Sequence, residues 1–194
     1  MLKIGITGGI GSGKSLVSNI FRQLGIPVYN SDEKAKWLMT NDSDLKDKIK
    51  KHFGNEAYSN DTDLNRSFLA KVVFNNPEKT KVINSLVHPA VGVDFKKWSD
   101  DQTSPYILKE AALLIQSGSY KQLDYLILVK APEELRIQRV LARDNQRSRE
   151  DIMNIISRQM SEAEMEEYSD YVLDNDNTKP LLKEVLKLHD IFRS

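Results

Sequence analysis

Short apolar runs alternate with longer segments of helical spacing along most of the chain. Leu2–Thr7 (LKIGIT), Ile26–Asn30 (IPVYN), Tyr106–Lys109 (YILK), Tyr125–Lys130 (YLILVK) and the brief Tyr171–Leu173 (YVL) predict five strands. Tyr125–Lys130 is almost wholly apolar, the pattern of a strand buried on both faces of a parallel sheet. Between the strands, Val17, Ile20, Phe21 and Leu24 form one helical stripe within Ser15–Leu24, and Gly25 stands where that helix should stop. Pro77 and Pro132 read as first helical positions, where the missing N–H costs nothing. Ser148 with Asp151, and Ser161 with Glu164, have capping-box spacing. Pro180–Phe192 closes the chain as an amphipathic helix. Strands alternating in this way with helices predict an α/β fold: a doubly wound parallel sheet of about five strands with helices on both faces.

The interval from about 31 to 99 breaks the alternation. It holds about four helical segments and no convincing strand, too much for a simple crossover, and reads as a helical insertion on the core. Asn60–Asn65 (NDTDLN) looks like an exposed turn. Lys46, Lys48, Lys50 and Lys51, interleaved with Asp44 and Asp47, read as a solvated helix face. Trp37 and Trp98 are assigned to a small helical core, and His88 to a structural hydrogen bond.

Composition narrows the picture further. Across 194 residues the formal net charge is +0, which argues against a nucleic-acid binder working by bulk electrostatics. There is no cysteine, hence no disulfide, thiolate nucleophile or cysteine metal site. The apolar runs are far too short to span a bilayer, and a core strand begins almost at the first residue, leaving no room for a signal peptide. The expectation is a soluble cytoplasmic protein with no nucleic-acid or membrane partner, and a monomer is favoured.

Gly8–Ser15 (GGIGSGKS) satisfies G-x-x-x-x-G-K-[ST] at every defined position, between a predicted strand and a predicted helix. In that setting, the N–H groups of Gly11, Ser12, Gly13, Lys14, Ser15 and Leu16 and the positive helix end converge on one anion. Lys14 would reach the terminal phosphates of ATP, and the Ser15 hydroxyl would bind a bridging Mg²⁺. The chain lacks D-x-x-G and N-K-x-D, so a GTPase is excluded. Among strand ends, Glu110 alone matches the acidic terminus of motor and transporter ATPases. A small-molecule kinase fits better. Asp32 follows the second strand, where it either accepts the proton of an attacking hydroxyl or serves as a helix cap, a task open also to Ser31. Six arginines, at 136, 139, 143, 147, 149 and 158, crowd one stretch and suit a lid over ATP, with about half of them pairing with Asp144, Glu150 and Asp151. On these residues alone, a kinase for another nucleoside or nucleotide, or a binding module without transfer, stays open.

Beyond the loop, an ordered series of motifs resembles the dephospho-coenzyme A kinase family. Ile4–Ser15 (IGITGGIGSGKS), Gly25–Asp32 (GIPVYNSD), Phe53-Gly54, Leu64–Arg66, Val73–Glu78 (VFNNPE) and Leu86–Pro89 (LVHP) follow its pattern. Leu113-Leu114, Arg139, Arg143-Asp144, Ser148–Glu150 and Asp170–Asn175 (DYVLDN) continue it nearly end to end. The resemblance implies transfer of the ATP γ-phosphate to the ribose 3′-hydroxyl of dephospho-CoA, giving CoA and ADP. It further implies Asp32 as general base, Arg139 at the phosphates, Thr7 beside the loop and Asn175 near the adenine. Arg143 opens the segment that resembles the family's lid, about 143–164, and the insertion would bind dephospho-CoA. The core would then be 1–30, 100–142 and 165–194 of a single domain. Asn30, Leu16, Ala112 and Gln116 depart from the family's usual Asp, Thr, Pro and Glu.

Overall fold

The computed structural model describes residues 1–60, 63–73 and 76–194. Two compact units emerge: 1–30 together with 102–194, and 31–101. In chain order the elements are β1 (Leu2–Thr7), α1 (Lys14–Gln23), β2 (Val28–Asn30), α2 (Ser31–Asn41), α3 (Ser43–Phe53), β3 (Tyr58–Ser59), β4 (Asp63–Leu64), α4 (Arg66–Val73) and α5 (Pro77–Asp100). There follow β5 (Tyr106–Glu110), β6 (Tyr125–Lys130), α6 (Glu133–Arg143), α7 (Arg149–Ile156), α8 (Glu162–Glu166), β7 (Tyr171–Asp174) and α9 (Leu181–Arg193).

The first unit is a five-stranded sheet in the order β2-β5-β1-β6-β7, with every pairing parallel. Side-chain alternation divides its two faces. Ile4, Ile6, Tyr106, Leu108, Ile127 and Val129 pack against Val17 and Phe21 of α1 and Val185, Leu188 and Phe192 of α9. Leu126 and Leu128 point the other way, onto Ala111, Leu114, Ile115 and Met165 of α8. The doubly wound expectation holds, and β6 is buried on both faces as its sequence implied. β2 starts at Val28 rather than Ile26, because Pro27 offers the ladder a carbonyl, to Leu108 N at 3.0 Å, but no N–H. Pro132 occupies the cap position of α6, not its first helical residue.

The second unit is helical: α2, α3, α4 and α5 surround Leu38, Leu45, Ile49, Phe53, Leu69, Val87, Val91 and Phe95. Asp42 caps α3 through Leu45 N (2.8 Å), and Asn76 caps α5 through Lys79 N (3.0 Å). Two sequence expectations need correction here. β3 and β4 form an antiparallel pair, so the unit does contain strands. Trp37 is 53% exposed, under the Lys34 ammonium, and fills no core, whereas Trp98 stacks on Phe95. Lys46 and Lys50 lean over the Tyr58 ring. The turn expected at Asn60–Asn65 and the motif at Val73–Glu78 each fall partly on residues 61, 62, 74 and 75, outside the described residues. Among the described residues, no helix is long and apolar enough to cross a membrane.

Candidate active site

β1 is flanked by β5 on one side and β6 on the other, so the loop after Thr7 leaves the middle of the sheet's carboxyl edge. Here the winding reverses, and open α/β sheets place ligands at such a point. Gly13 caps α1 at φ 100°, ψ 20°, and no side chain bonds the helix start. The positive end of α1 therefore faces the loop without a side-chain cap, although Leu16 N already donates to Gly13 O at 3.0 Å. A Cβ on Gly13 would collide with Asn175 Nδ2, and one on Gly9 with the Arg136 guanidinium. Lys14 Nζ donates to Gly8 O (2.8 Å) and Gly9 O (3.0 Å), so its ammonium lies within the loop's own curl.

Ser15, the expected metal ligand, donates its hydroxyl to Glu110 Oε1 at 2.8 Å. Glu110 ends β5, next to β1, and is 4% exposed; its Oε2 is buried without a hydrogen-bond partner. Thr7 is fully buried, its hydroxyl 3.5 Å from Ala112 O. Ser12 Oγ is buried and unpartnered, and Leu16 is exposed.

Asn175 and Arg139 are brought together behind the loop. Asn175 Nδ2 donates to Ser12 O at 2.8 Å, while Arg139 Nη2 donates to Asn175 O and to Asn177 Oδ1, both at 2.9 Å. Arg139 Nη1 is buried with no partner, a donor left for a ligand. Arg143, at the end of α6, is exposed. Asp32 is exposed in the first turn of α2. It sits inside the helix, which begins at Ser31, and the buried Ser31 hydroxyl makes no hydrogen bond, so Ser31 does not play the capping part.

The other arginines divide. Arg147 pairs with Asp144 (2.8 Å), as expected. Arg149 grips Glu134 with two hydrogen bonds, 2.9 and 2.6 Å, holding that carboxyl below its ordinary range. Asp151 instead completes the capping box with Ser148, as Glu164 does with Ser161. Arg136 is buried against Gly9, its Nε 3.7 Å from Glu162. Sequence reasoning did not assign Arg136 or Gln159 to the loop, nor Glu110 to Ser15, because each contact depends on which elements lie side by side.

The dephospho-CoA kinase family model matches residues 2–180. A dephospho-CoA kinase of Bacteroides fragilis (strain YCH46) is 40% identical over 188 residues, 96% of this chain and 91% of its own length. The crystal structure of TT1252 from Thermus thermophilus superposes with a TM-score of 0.88 at 33% identity, covering 100% of this chain and 98% of that one. At 22% identity, dephospho-CoA kinase from Campylobacter jejuni shares the fold, with a TM-score of 0.69 over 97% of this chain and 95% of its own.

Proposed function

The chain belongs to the dephospho-CoA kinase family of ATP-dependent kinases acting on an alcohol group, and from that premise we propose that it transfers the ATP γ-phosphate to the ribose 3′-hydroxyl of dephospho-CoA. The observation that carries this reading is the Gly8–Ser15 loop at the sheet's switch point, with Lys14 curled into it and Ser15 bonded to Glu110. In the transfer, the bond from the γ-phosphorus to the bridging oxygen of ADP breaks. A bond to the ribose oxygen forms, and the hydroxyl proton leaves to a carboxylate.

Asp32 is the proton acceptor in this reading. It follows β2 by two residues, and the carboxyl end of β2 lies on the same sheet edge as the loop. Asn30, an amide, accepts no proton at neutral pH. Lys14 neutralises the terminal phosphates, and Arg139 Nη1 offers a buried donor to the nucleotide while its other nitrogen holds Asn175. Oxygen donors suit Mg²⁺, and Ser15 Oγ with the unpartnered Glu110 Oε2 are the groups that would hold it, where the ion would supply charge neutralisation at the phosphates. Dephospho-CoA is assigned to the helical unit, which carries Asp32 and a cleft of about 410 Å³ lined by Leu38, Leu45, Leu86 and Ala90 with Lys48 and Lys97. The enzyme is taken to work as a soluble cytoplasmic monomer, with the stretch 143–164 as its lid.

Asp32→Asn keeps size and hydrogen bonding but removes basicity. ATP affinity should survive, and the single-turnover rate on dephospho-CoA should fall by about a hundredfold or more. A rate near wild type would reject Asp32 as base, and ADP release with nucleosides but not with dephospho-CoA would reject the substrate.

A further inference from the structure

The loop is held by a side chain from the far end of the unit. Ile10 N–H donates to Gln159 Oε1 at 2.9 Å, across a sequence separation of 149. Gln159 is not a loose surface group reaching inward. Tight backbone turns from Arg158 N to Ile155 O (3.2 Å) and from Gln159 N to Ile156 O (3.0 Å) carry the end of α7 directly to it. α7 is itself pinned to α6, where Ile152 packs with Ile137 and Val140, and the Ile10 side chain joins the same cluster. The amide acceptor is therefore delivered to the loop by a packed element.

Three polar groups meet the loop within two residues. Lys14 Nζ bonds Gly9 O, the Arg136 guanidinium lies against Gly9, and a Cβ on Gly9 would come within 3.5 Å of Gln159 Oε1. Arg136 is in turn held near Glu162, just beyond Gln159, at 3.7 Å. Loop N–H groups of this motif serve anionic oxygens. In this structure, a neutral carbonyl oxygen is stationed at one of them.

We propose that Gln159 reads the γ-phosphate: its Oε1 holds the Ile10 N–H when no γ-phosphate is present, and its amide turns to donate through Nε2 when a phosphate oxygen takes that place. A primary amide is suited to this because it carries an acceptor and two donors on one rotatable group. The exchange couples the 143–164 stretch to the identity of the nucleotide, since ADP brings no oxygen to displace the amide. The proposal rests on the loop being the ATP site.

The test compares affinities for ADP and a non-hydrolysable ATP analogue, by calorimetry, in wild type, Gln159→Ala and Gln159→Glu. Gln159→Glu keeps size and acceptor but replaces the donor with negative charge, so analogue affinity should fall by about tenfold or more, the scale of a hydrogen bond to a charged group, with ADP affinity moving less than about twofold. Gln159→Ala should show the same selectivity with a smaller loss. Equal changes for both nucleotides, or no change, would overturn the proposal, because a structural role makes no distinction between them. Should Gln159→Ala fold poorly, the near-isosteric Gln159→Glu carries the comparison alone. Lys14→Ala serves as the control on the premise: analogue affinity should drop sharply, and if it does not, the loop is not the ATP site and the proposal falls with it. A drop there, with unselective Gln159 variants, overturns the Gln159 proposal and leaves the site standing.

Discussion

Gly13→Ala tests how the phosphate-binding loop is held in shape. Gly13 sits at φ 100°, and a Cβ there would strike Asn175 Nδ2. Placing an L-residue in a left-handed conformation costs about 1–2 kcal/mol. Displacing Asn175 also breaks its 2.8 Å bond to Ser12 O, worth about 1–2 kcal/mol where a buried acceptor is left behind. The substitution should therefore destabilise by about 2–4 kcal/mol. In a chain of this size that lowers Tm by roughly 5–15 °C. Asn175→Ala alone should cost only the bond, about 1–2 kcal/mol. The double variant loses that bond once and has no clash, so its cost should be smaller than the sum of the single costs by about 1–2 kcal/mol. Urea denaturation of all four proteins measures the coupling. Additivity within about 0.5 kcal/mol would refute the claim that Asn175 braces the loop, since sites that share no partner add to within that range.

Glu110→Gln should raise the Mg²⁺ concentration needed for half-maximal turnover, because the buried Oε2 is lost as an ionic ligand while the Ser15 bond can persist; an unchanged Mg²⁺ dependence would remove Glu110 from the metal site. Backbone amides in 143–164 should exchange more slowly when the ATP analogue is added, as arginine-rich chain closes over phosphate; identical exchange at saturation would argue against a lid there. Tyr106 gives a pH prediction. Burial raises its phenol well above the ordinary value of 10.0, and its hydroxyl lies 2.7 Å from His189 Nδ1. For an acid whose folded pKa is raised, unfolding releases the proton once pH exceeds the unfolded value, so this contribution to stability is intact below about pH 10 and shrinks above it by up to about 1.4 kcal/mol per unit. The stability gap between wild type and Tyr106→Phe should narrow from pH 9 to pH 11, and a constant gap would contradict the assignment.

What the chain announced by itself was everything encoded over a few neighbouring positions. Gly8–Ser15 and its flanks and the caps at Ser148 and Ser161 rest on contacts between residues about a turn apart, and the apolar run of β6 marks by itself a strand covered on both faces. β3 and β4 left no trace because each is only two residues long and owes its pairing to its partner. Pro89 lies inside α5, which runs on to Asp100, since the buried stripe Val87, Val91 and Phe95 outweighs one missing N–H. The site shows the same division. The sequence offered Lys14, Ser15, Asp32, Arg139 and Asn175 as candidates, but not that Arg139 holds Asn175 or that Asn175 holds Ser12 O. Glu110 became the partner of Ser15 only when the strand order set β5 beside β1, and Gln159 reached Ile10 only when α7 packed on α6. Motifs record which chemistry a chain carries; which groups touch is decided by long-range packing, where no spacing along the sequence measures the distance.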